Sequence, residues 1–268
     1  MKPWRIVPLL ILFAACTNEP KHTVPDALKK DEMPASIQQL FSKLGQHPDS
    51  VGLRLQLVDA LDSLGAYQQA IGQMDSLIRK DSLNYGLWYR KAQLQQNTHD
   101  TIGALKSYRY AIRVYPAPDA MLAAGNLLAE KKDTLALTIA KQVMDLHMGR
   151  EYTAHCSFIT GVYYARTGDK KKAMNAFNTC IANNYGYLEA YMEKGFLLYD
   201  DKKFSEALKE FQTLNMVKNT YPDGYYWMAK CFEALNNKTE AISNYQKALT
   251  LDPKLKEASE ALKRLDPK

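Results

Sequence analysis

Residues 222–253, PDGYYWMAKCFEALNNKTEAISNYQKALTLDP, contain two apolar patterns separated by a short polar break. Apolar and small residues recur every three or four positions over Tyr225–Phe232 and again over Ala241–Leu249, which is the spacing of an amphipathic helix. The polar break lies at 236–238, and Pro253 follows the second pattern. This stretch therefore predicts a helix, a tight turn and a second helix that ends before the proline.

The same pattern recurs at an interval of 34 residues. Ala70 and Ala104 stand one interval apart, and so do Ala173, Ala207 and Ala241. A small residue at each of these places lets two helices cross closely. Self-similarity at this period is typical of helical hairpins, which bury their apolar faces only by stacking on a neighbour.

This pattern resembles the tetratricopeptide repeat (TPR), a 34-residue hairpin whose consensus has Trp, Leu-Gly, Tyr, then Ala, an aromatic residue, Ala and Pro. In one copy, Trp88, Ala104, Tyr108, Ala111 and Pro116 match it. About six copies begin near Val51, Tyr85, Ala117, Ala154, Leu188 and Pro222. The resemblance implies an all-α fold, a right-handed α-solenoid of about six TPR hairpins over residues 51–255.

The third copy departs from the regular interval. Ala136 follows Ala104 by 32 residues and precedes Ala173 by 37, which indicates an insertion near 148–150. His147 and His155 flank this junction, and we expect them to be solvated loop residues.

Amphipathic segments flank the repeats. Ile37, Leu40, Phe41 and Leu44 share one face of a predicted N-terminal capping helix at 37–50. Leu255, Ala258, Leu262 and Leu265 form an apolar stripe in a predicted C-terminal capping helix at 256–268. Such helices cover the terminal repeats of a solenoid and present a polar surface to water.

The first residues have the composition of a targeting signal. Lys2 and Arg5 precede an apolar stretch far shorter than the ~20 residues of a membrane span, which ends in Phe13-Ala14-Ala15-Cys16. This arrangement resembles a bacterial lipoprotein signal peptide, residues 1–15, with Phe13 where Leu is usual. The resemblance implies cleavage before Cys16 and attachment of acyl chains such as palmitate to it. The alternative is an ordinary secretory signal that happens to contain a cysteine.

Residues 16–36 contain three prolines among charged residues and little to bury, so they predict a flexible tether after the acylated Cys16. Several acyl chains hold a protein on a membrane almost permanently. Thr17-Asn18 after the cysteine favours the outer membrane by lipoprotein sorting rules. The sequence thus predicts a lipid-anchored protein of the cell envelope, with the side of the membrane left open.

Charge and cysteine content limit the classes of partner. The net charge of +6 is mild and spread among interleaved acids, which does not indicate a nucleic-acid partner. The lysines at 170–172 and 202–203 are expected in solvated turns, with anionic lipid head groups as the alternative. Cys180 and Cys231 are expected as buried thiols, while a disulfide between Cys156 and Cys180 remains an alternative.

The sequence offers no pattern of a catalytic or metal site. The five histidines show no metal-ligand spacing, and neither a glycine-rich phosphate loop nor a Gly-x-Ser-x-Gly motif occurs. We therefore expect no enzymatic activity, no cofactor and no metal ion.

In TPR domains the first helix of each hairpin lines a concave groove that receives protein segments. The resemblance assigns the following residues to this groove: Tyr89, Gln93, Gln96, Met121, Phe158, Val162, Met192, Phe196, Tyr199, Tyr226, Lys230 and Glu233. The alternatives are that these side chains pack on each other, or that the register is shifted by one residue.

These features predict a membrane-anchored scaffold that binds a protein or peptide of the cell envelope in the groove. Two other functions stay open. One is a self-associating structural lipoprotein whose groove is filled by a second copy, and the other is an envelope enzyme.

Overall fold

A computed structural model describes residues 33–266, which form fourteen α-helices and contain no strand. The helices are α1 (Ala35–Gln46), α2 (Val51–Ser63), α3 (Tyr67–Lys80), α4 (Tyr85–Asn97), α5 (Thr101–Val114), α6 (Pro118–Glu130), α7 (Leu135–Met144), α8 (Arg150–Thr167), α9 (Lys170–Asn183), α10 (Leu188–Asp200), α11 (Phe204–Val217), α12 (Pro222–Ala234), α13 (Lys238–Leu251) and α14 (Lys256–Leu265). The all-α prediction is confirmed. The predicted signal peptide, Cys16 and the tether up to residue 32 lie outside the described residues.

The described residues divide into two compact units, the first ending at Leu77 and the second beginning at Ile78. In the first unit α1 packs on α2, and Leu57, Leu61 and Met74 are fully buried. Arg54 of α2 donates to the side-chain oxygen of Gln73 in α3 at 2.6 Å. The predicted capping helix at 37–50 corresponds to α1, which begins two residues earlier and ends four residues sooner.

The second unit contains five hairpins, α4–α5, α6–α7, α8–α9, α10–α11 and α12–α13, followed by α14. Each hairpin turn contains one residue with positive φ: His99, Lys132, Gly168, Lys202 and Asn236. That conformation stops the first helix and redirects the chain. In three turns a side chain then caps the second helix, because Asp100, Asp169 and Asn237 each accept a backbone N–H bond. The five hairpins therefore share one turn design.

The small residues of the 34-residue interval lie where two helices cross. Ala104, Ala173, Ala207 and Ala241 are all fully buried at the start of the second helices. Large apolar residues from the same helices fill the space beside them, and each contributes about 1.5–3 kcal/mol by burial. The predicted core role of the alanines is confirmed.

The irregular third copy has a structural explanation. Helix α7 has only 10 residues, whereas α8 has 18 and begins four residues before Ala154. Gly149 has φ of +100° and precedes this added turn, so the extra residues lengthen α8 at its N-terminus. As a result His155 lies inside a helix. The expectation that it is a solvated loop residue is wrong.

Within residues 33–266, no helix is long and apolar enough to cross a membrane. Cys156, Cys180 and Cys231 are buried free thiols. The alternative of a disulfide between Cys156 and Cys180 is therefore not realised in this structure.

Candidate binding face on the first helices

A small residue near the middle of each first helix fixes the register of the five hairpins in the second unit. The five are Ala92, Gly125, Gly161, Gly195 and Ala229, and all are buried. A Cβ atom added to Gly161 or Gly195 would lie 2.4 or 2.3 Å from the ring of a second-helix phenylalanine. Leu122 lies three residues before Gly125, as Phe158 lies three residues before Gly161, so Leu122 is the residue equivalent to Phe158. The count from Ala117 had assigned the neighbouring residue, Met121.

The residues predicted to line a groove fall into two groups. Met121, Val162 and Met192 have exposures of 8, 2 and 8%, so they belong to the packed interior. The half-buried group comprises Tyr89, Gln93, Gln96, Phe158, Phe196, Tyr199, Tyr226, Lys230 and Glu233. We call the surface formed by this second group the first-helix face.

If α2–α3 is counted as the first hairpin of the chain, α8–α9, α10–α11 and α12–α13 are the fourth, fifth and sixth. Aromatic rings connect the fifth and sixth hairpins across this face. Trp227 of α12 lies between the rings of Phe196 and Tyr199 of α10, at centroid distances of 4.8 and 5.3 Å. Tyr226 lies beside Trp227 at 5.7 Å. Trp227 was absent from the sequence-based set, although its position next to Tyr226 was a usable signal.

The fourth hairpin contributes a second aromatic group. Phe158 lies 4.9 Å from the ring of Tyr187 and 5.8 Å from that of Phe177. His155 faces Tyr187, and its Nε2 lies 2.7 Å from the side-chain amide nitrogen of Asn126 in α6. Burial lowers the pKa of His155, and the charges of Glu189 and Asp119 oppose that shift. A neutral imidazole that accepts the Asn126 hydrogen bond fits this environment.

Toward the C-terminal ends of the first helices, carboxylates are paired with arginines. Arg166 of α8 makes two hydrogen bonds to Glu130 of α6 and two to Glu193 of α10, at 2.7–2.9 Å. Arg264 of α14 contacts Glu233 at 2.6 Å. These ion pairs hold neighbouring repeats together, because each joins two or three different helices.

Near the N-terminal ends, the carboxylates have no such partner. Asp119, Glu189, Asp223 and Glu257 occupy the first turns of α6, α10, α12 and α14, and all four are exposed. Asp119 accepts a hydrogen bond from the hydroxyl of Tyr152 at 3.2 Å. Although the side chain of Asp223 reaches solvent, the protein around it partly desolvates the carboxylate, and this effect, followed by the charges of Asp252 and Glu257, raises its pKa. We call these four residues the carboxylate row.

The described residues contain no group of three or more His, Cys, Asp or Glu side chains arranged to hold a metal ion. The first-helix face instead consists of aromatic rings, two amides, the ammonium group of Lys230 and the carboxylate of Glu233. Such a surface binds by shape, stacking and charge.

Comparison with known proteins identifies the repeat. Residues 222–255, which form α12, α13 and their flanking turns, match the family model of the tetratricopeptide repeat. The last hairpin is a tetratricopeptide repeat. The resemblance stated from the sequence is thereby confirmed, and so is the predicted class of fold.

Other TPR proteins are similar over longer stretches. Tetratricopeptide repeat protein 1 of Schizosaccharomyces pombe is 24% identical in an alignment of 203 residues, which covers 66% of this chain and only 18% of that protein. This chain thus matches less than a fifth of the length of that relative.

Two solved structures share the fold. A TPR protein from Parabacteroides merdae ATCC 43184 has a TM-score of 0.71 at 16% identity, over 86% of this chain and 91% of that one. The structure of PilW, described as a widely conserved type IV pilus biogenesis factor, has a TM-score of 0.65 at 16% identity. It covers 79% of this chain and 97% of that one. At these identities the similarity shows the TPR fold alone.

Proposed function

We propose that this TPR protein is a lipid-anchored scaffold of the bacterial cell envelope, which binds a protein segment along the first-helix face and performs no chemistry. The observation that carries the proposal is the half-buried aromatic surface of the fourth to sixth hairpins. Phe196, Tyr199, Tyr226 and Trp227 form one continuous cluster, and Phe158 with Tyr187 forms another. Aromatic side chains that are partly exposed supply much of the binding energy at protein interfaces.

Membrane attachment rests on the sequence. The Phe13-Ala14-Ala15-Cys16 motif supports acylation of Cys16, and Thr17-Asn18 supports the outer membrane. An anchor with several chains keeps the scaffold within tether length of a lipid surface, which restricts partners to the envelope.

Crosslinking from defined positions in living cells tests the binding face. A photoreactive amino acid placed at Tyr199 or Tyr226 is expected to capture one discrete partner segment. Ile102 and Met216 are matched controls, because they are 76 and 74% exposed on second helices. Capture from the controls alone, or from no position on the first-helix face, contradicts the proposed binding role.

The anchor has a separate test. Cys16→Ser is expected to abolish incorporation of labelled palmitate and to move the protein from the membrane fraction to the soluble fraction. A Cys156→Ser variant is the cysteine control and should stay on the membrane. Sedimentation of Cys16→Ser with membranes after a salt wash would show that another feature attaches the protein.

A second candidate function is self-association. Large apolar side chains are exposed at or just beyond the C-terminal ends of α3, α5, α7, α9 and α11: Leu83, Tyr115, Leu146, Tyr185 and Met216. Exposed apolar residues of this kind favour contact with another apolar surface. Mass measurement of the Cys16→Ser protein distinguishes the two functions, because a lone scaffold should have the mass of one chain.

A further inference from the structure

A hydrogen bond between Asn126 of α6 and His155 of α8 joins two neighbouring hairpins. The Nε2 atom of His155 lies 2.7 Å from the side-chain nitrogen of Asn126, and both side chains are half-buried. The side-chain oxygen of Asn126 is enclosed and has no hydrogen-bond partner among the described residues. The amide therefore uses its donor end and leaves its acceptor end free.

The amide of Gln95 in α4 is held in one orientation, and it supplies a comparison. Its nitrogen donates to Asp100 at 3.3 Å, and its oxygen accepts from Ser107 at 2.6 Å. A half-turn of that amide would exchange a donor for an acceptor at both ends and lose both hydrogen bonds. A half-turn of the Asn126 amide loses no bond at the oxygen, because that oxygen makes none.

The protonation state of His155 decides which end of the amide can bond to it. A neutral imidazole with its hydrogen on Nδ1 has an acceptor at Nε2, which suits the nitrogen of Asn126. A protonated imidazole carries hydrogen on both ring nitrogens, so two donors would then face each other across 2.7 Å. A half-turn of the amide would bring its free oxygen to Nε2 and restore the hydrogen bond. One end of the amide is then unpaired in either state.

Two other asparagines have the same free acceptor but not the same partner. The side-chain oxygens of Asn215 and Asn244 are also enclosed and unpaired. Their nitrogens face the sulfur of Met228 and the backbone oxygen of Glu240. Neither of these groups gains a proton in the range in which a histidine titrates. Of the three asparagines, Asn126 alone faces a group that changes from acceptor to donor.

The charges around His155 act in opposite directions. Burial has the largest effect and lowers its pKa, whereas the carboxylates of Glu189 in α10 and Asp119 in α6 favour the protonated ring. The remaining titratable groups of this cluster stay neutral because burial raises the pKa of each: Tyr187, Cys156 and Cys180. Histidine is the side chain that ordinarily changes its charge between pH 5 and 8. His155 is therefore the group through which this cluster responds to pH.

We propose that Asn126 and His155 form a proton-driven switch, in which the amide donates to the neutral imidazole and, after a half-turn, accepts from the protonated one. The proton comes from solvent, and the amide changes only its orientation. Below the midpoint of the switch the fourth hairpin carries one additional positive charge beside Phe158 and Tyr187. A stronger attraction for acidic partner segments at low pH follows from this charge and rests on the proposed binding function.

NMR of the full chain with ¹⁵N-labelled histidine and asparagine side chains tests the switch. His155→Gln identifies the His155 signals among those of the five histidines. Well above its midpoint, we expect His155 to carry its hydrogen on Nδ1 and none on Nε2. As the pH falls, the side-chain amide signals of Asn126 should move with the same midpoint as the His155 ring, because rotation accompanies protonation. The amide signals of Asn215 and Asn244 are internal controls and should not follow that midpoint.

Two variants of Asn126 distinguish a rotating amide from a fixed donor. A fixed donor stabilises the neutral ring alone, so its removal in Asn126→Leu would raise the midpoint of His155 by about one pH unit. A rotating amide bonds to both forms, so we expect Asn126→Leu to move the midpoint by less than about 0.5 pH unit. Asn126→Asp should raise it by about 1–3 pH units, because a carboxylate favours the protonated ring.

Four outcomes would overturn the inference: a neutral His155 with its hydrogen on Nε2, amide signals of Asn126 that stay constant while His155 titrates, a rise of about one pH unit in Asn126→Leu, or no rise in Asn126→Asp. Circular dichroism establishes that the variants are folded, and the first two measurements use the native chain. None of these measurements needs a partner. Their failure would leave the scaffold role intact, and failure of crosslinking from Tyr199 and Tyr226 would leave the switch intact.

Discussion

Two kinds of hairpin can be contrasted in the second unit, and they differ in how the second helix meets the first. The hairpin α6–α7 belongs to neither kind, because Ala140 stands where the others have an aromatic residue. In the hairpins α8–α9 and α10–α11, Phe177 and Phe211 lie directly against Gly161 and Gly195. In α4–α5 and α12–α13 the equivalent aromatic residues are Tyr108 and Tyr245, and the equivalent small residues are Ala92 and Ala229.

The tyrosine hydroxyls explain the difference. Tyr108 donates to Gln96 and Tyr245 donates to Glu233, each on the first helix of the same hairpin. The hydrogen bond fixes the tyrosine ring through its hydroxyl group, and the small residue of the first helix that faces the ring is an alanine. In the middle hairpins the ring has no hydroxyl and rests on the glycine backbone. The same fold therefore uses packing in its middle and hydrogen bonds near its ends.

The largest expected effect comes from adding a methyl group to a middle hairpin. Gly195→Ala should cost about 2–3 kcal/mol of unfolding free energy, because the new Cβ would lie 2.3 Å from the buried ring of Phe211. Urea denaturation measures this cost. In a Phe211→Leu background the penalty of the alanine should largely disappear, since the ring is gone. A full penalty in that background would show that Phe211 is not the cause.

Arg166 supplies a polar connection that joins the middle repeats to one another. Arg166→Met should cost about 2 kcal/mol, because Glu193 is only 14% exposed at its side chain and would be left unpaired. Arg166→Lys should recover part of the loss, since lysine keeps the charge and loses the two-pronged hydrogen bonds. Equal stability of Arg166→Met and the native chain in urea would show that the carboxylates are solvated well enough without it.

The hydroxyls of the outer hairpins are expected to have a smaller effect. Tyr245→Phe and Tyr108→Phe should each cost about 1 kcal/mol, the net value of one hydrogen bond, with the larger cost at the charged acceptor Glu233. Thermal melting of the two variants provides the measurement. Phe177→Leu is the contrasting change in a middle hairpin, and it should act through packing alone.

The smallest effect is a dependence on pH in the fourth hairpin. The pKa of His155 is lowered in the folded state by burial, so the unfolded chain takes up a proton more readily as the pH falls through about 6.5. Stability should therefore be full above that pH and decrease below it, by about 1 kcal/mol or less at pH 5.5. His155→Gln should remove this contribution. An identical pH profile in the variant would assign the loss to other groups.

Local patterns in the sequence predicted much of the fold. The hairpins, their turns and the buried alanines follow from helical periodicity and small residues at a fixed interval, which depend on neighbours in the chain. Counting from Ala117 misplaced the third register by one, because Gly125 follows Ala92 by 33 residues whereas Ala136 follows Ala104 by only 32. Gly125 would have been the better reference point.

The binding face was less predictable, since its contacts join residues from different repeats. The position of Trp227 between Phe196 and Tyr199, and the pairing of Arg166 with two glutamates, depend on side-chain directions that no periodic pattern specifies. The carboxylate row is different. The interval of 34 residues between Glu189, Asp223 and Glu257 is visible in the sequence. Only the structure shows that other acids on these helices are paired with arginines while these three are not.

The rates at which the three buried thiols are alkylated report how often the helices around them open. Burial raises the pKa of Cys156 to about 11 and that of Cys180 and Cys231 to about 12, so an alkylating reagent finds almost no thiolate in the folded protein. Each cysteine can react only when its own hairpin opens. The alkylation rates of Cys156 and Cys180 would measure opening of the fourth hairpin, and that of Cys231 would measure opening of the sixth. No substitution or attached dye is needed, because the cysteines are native.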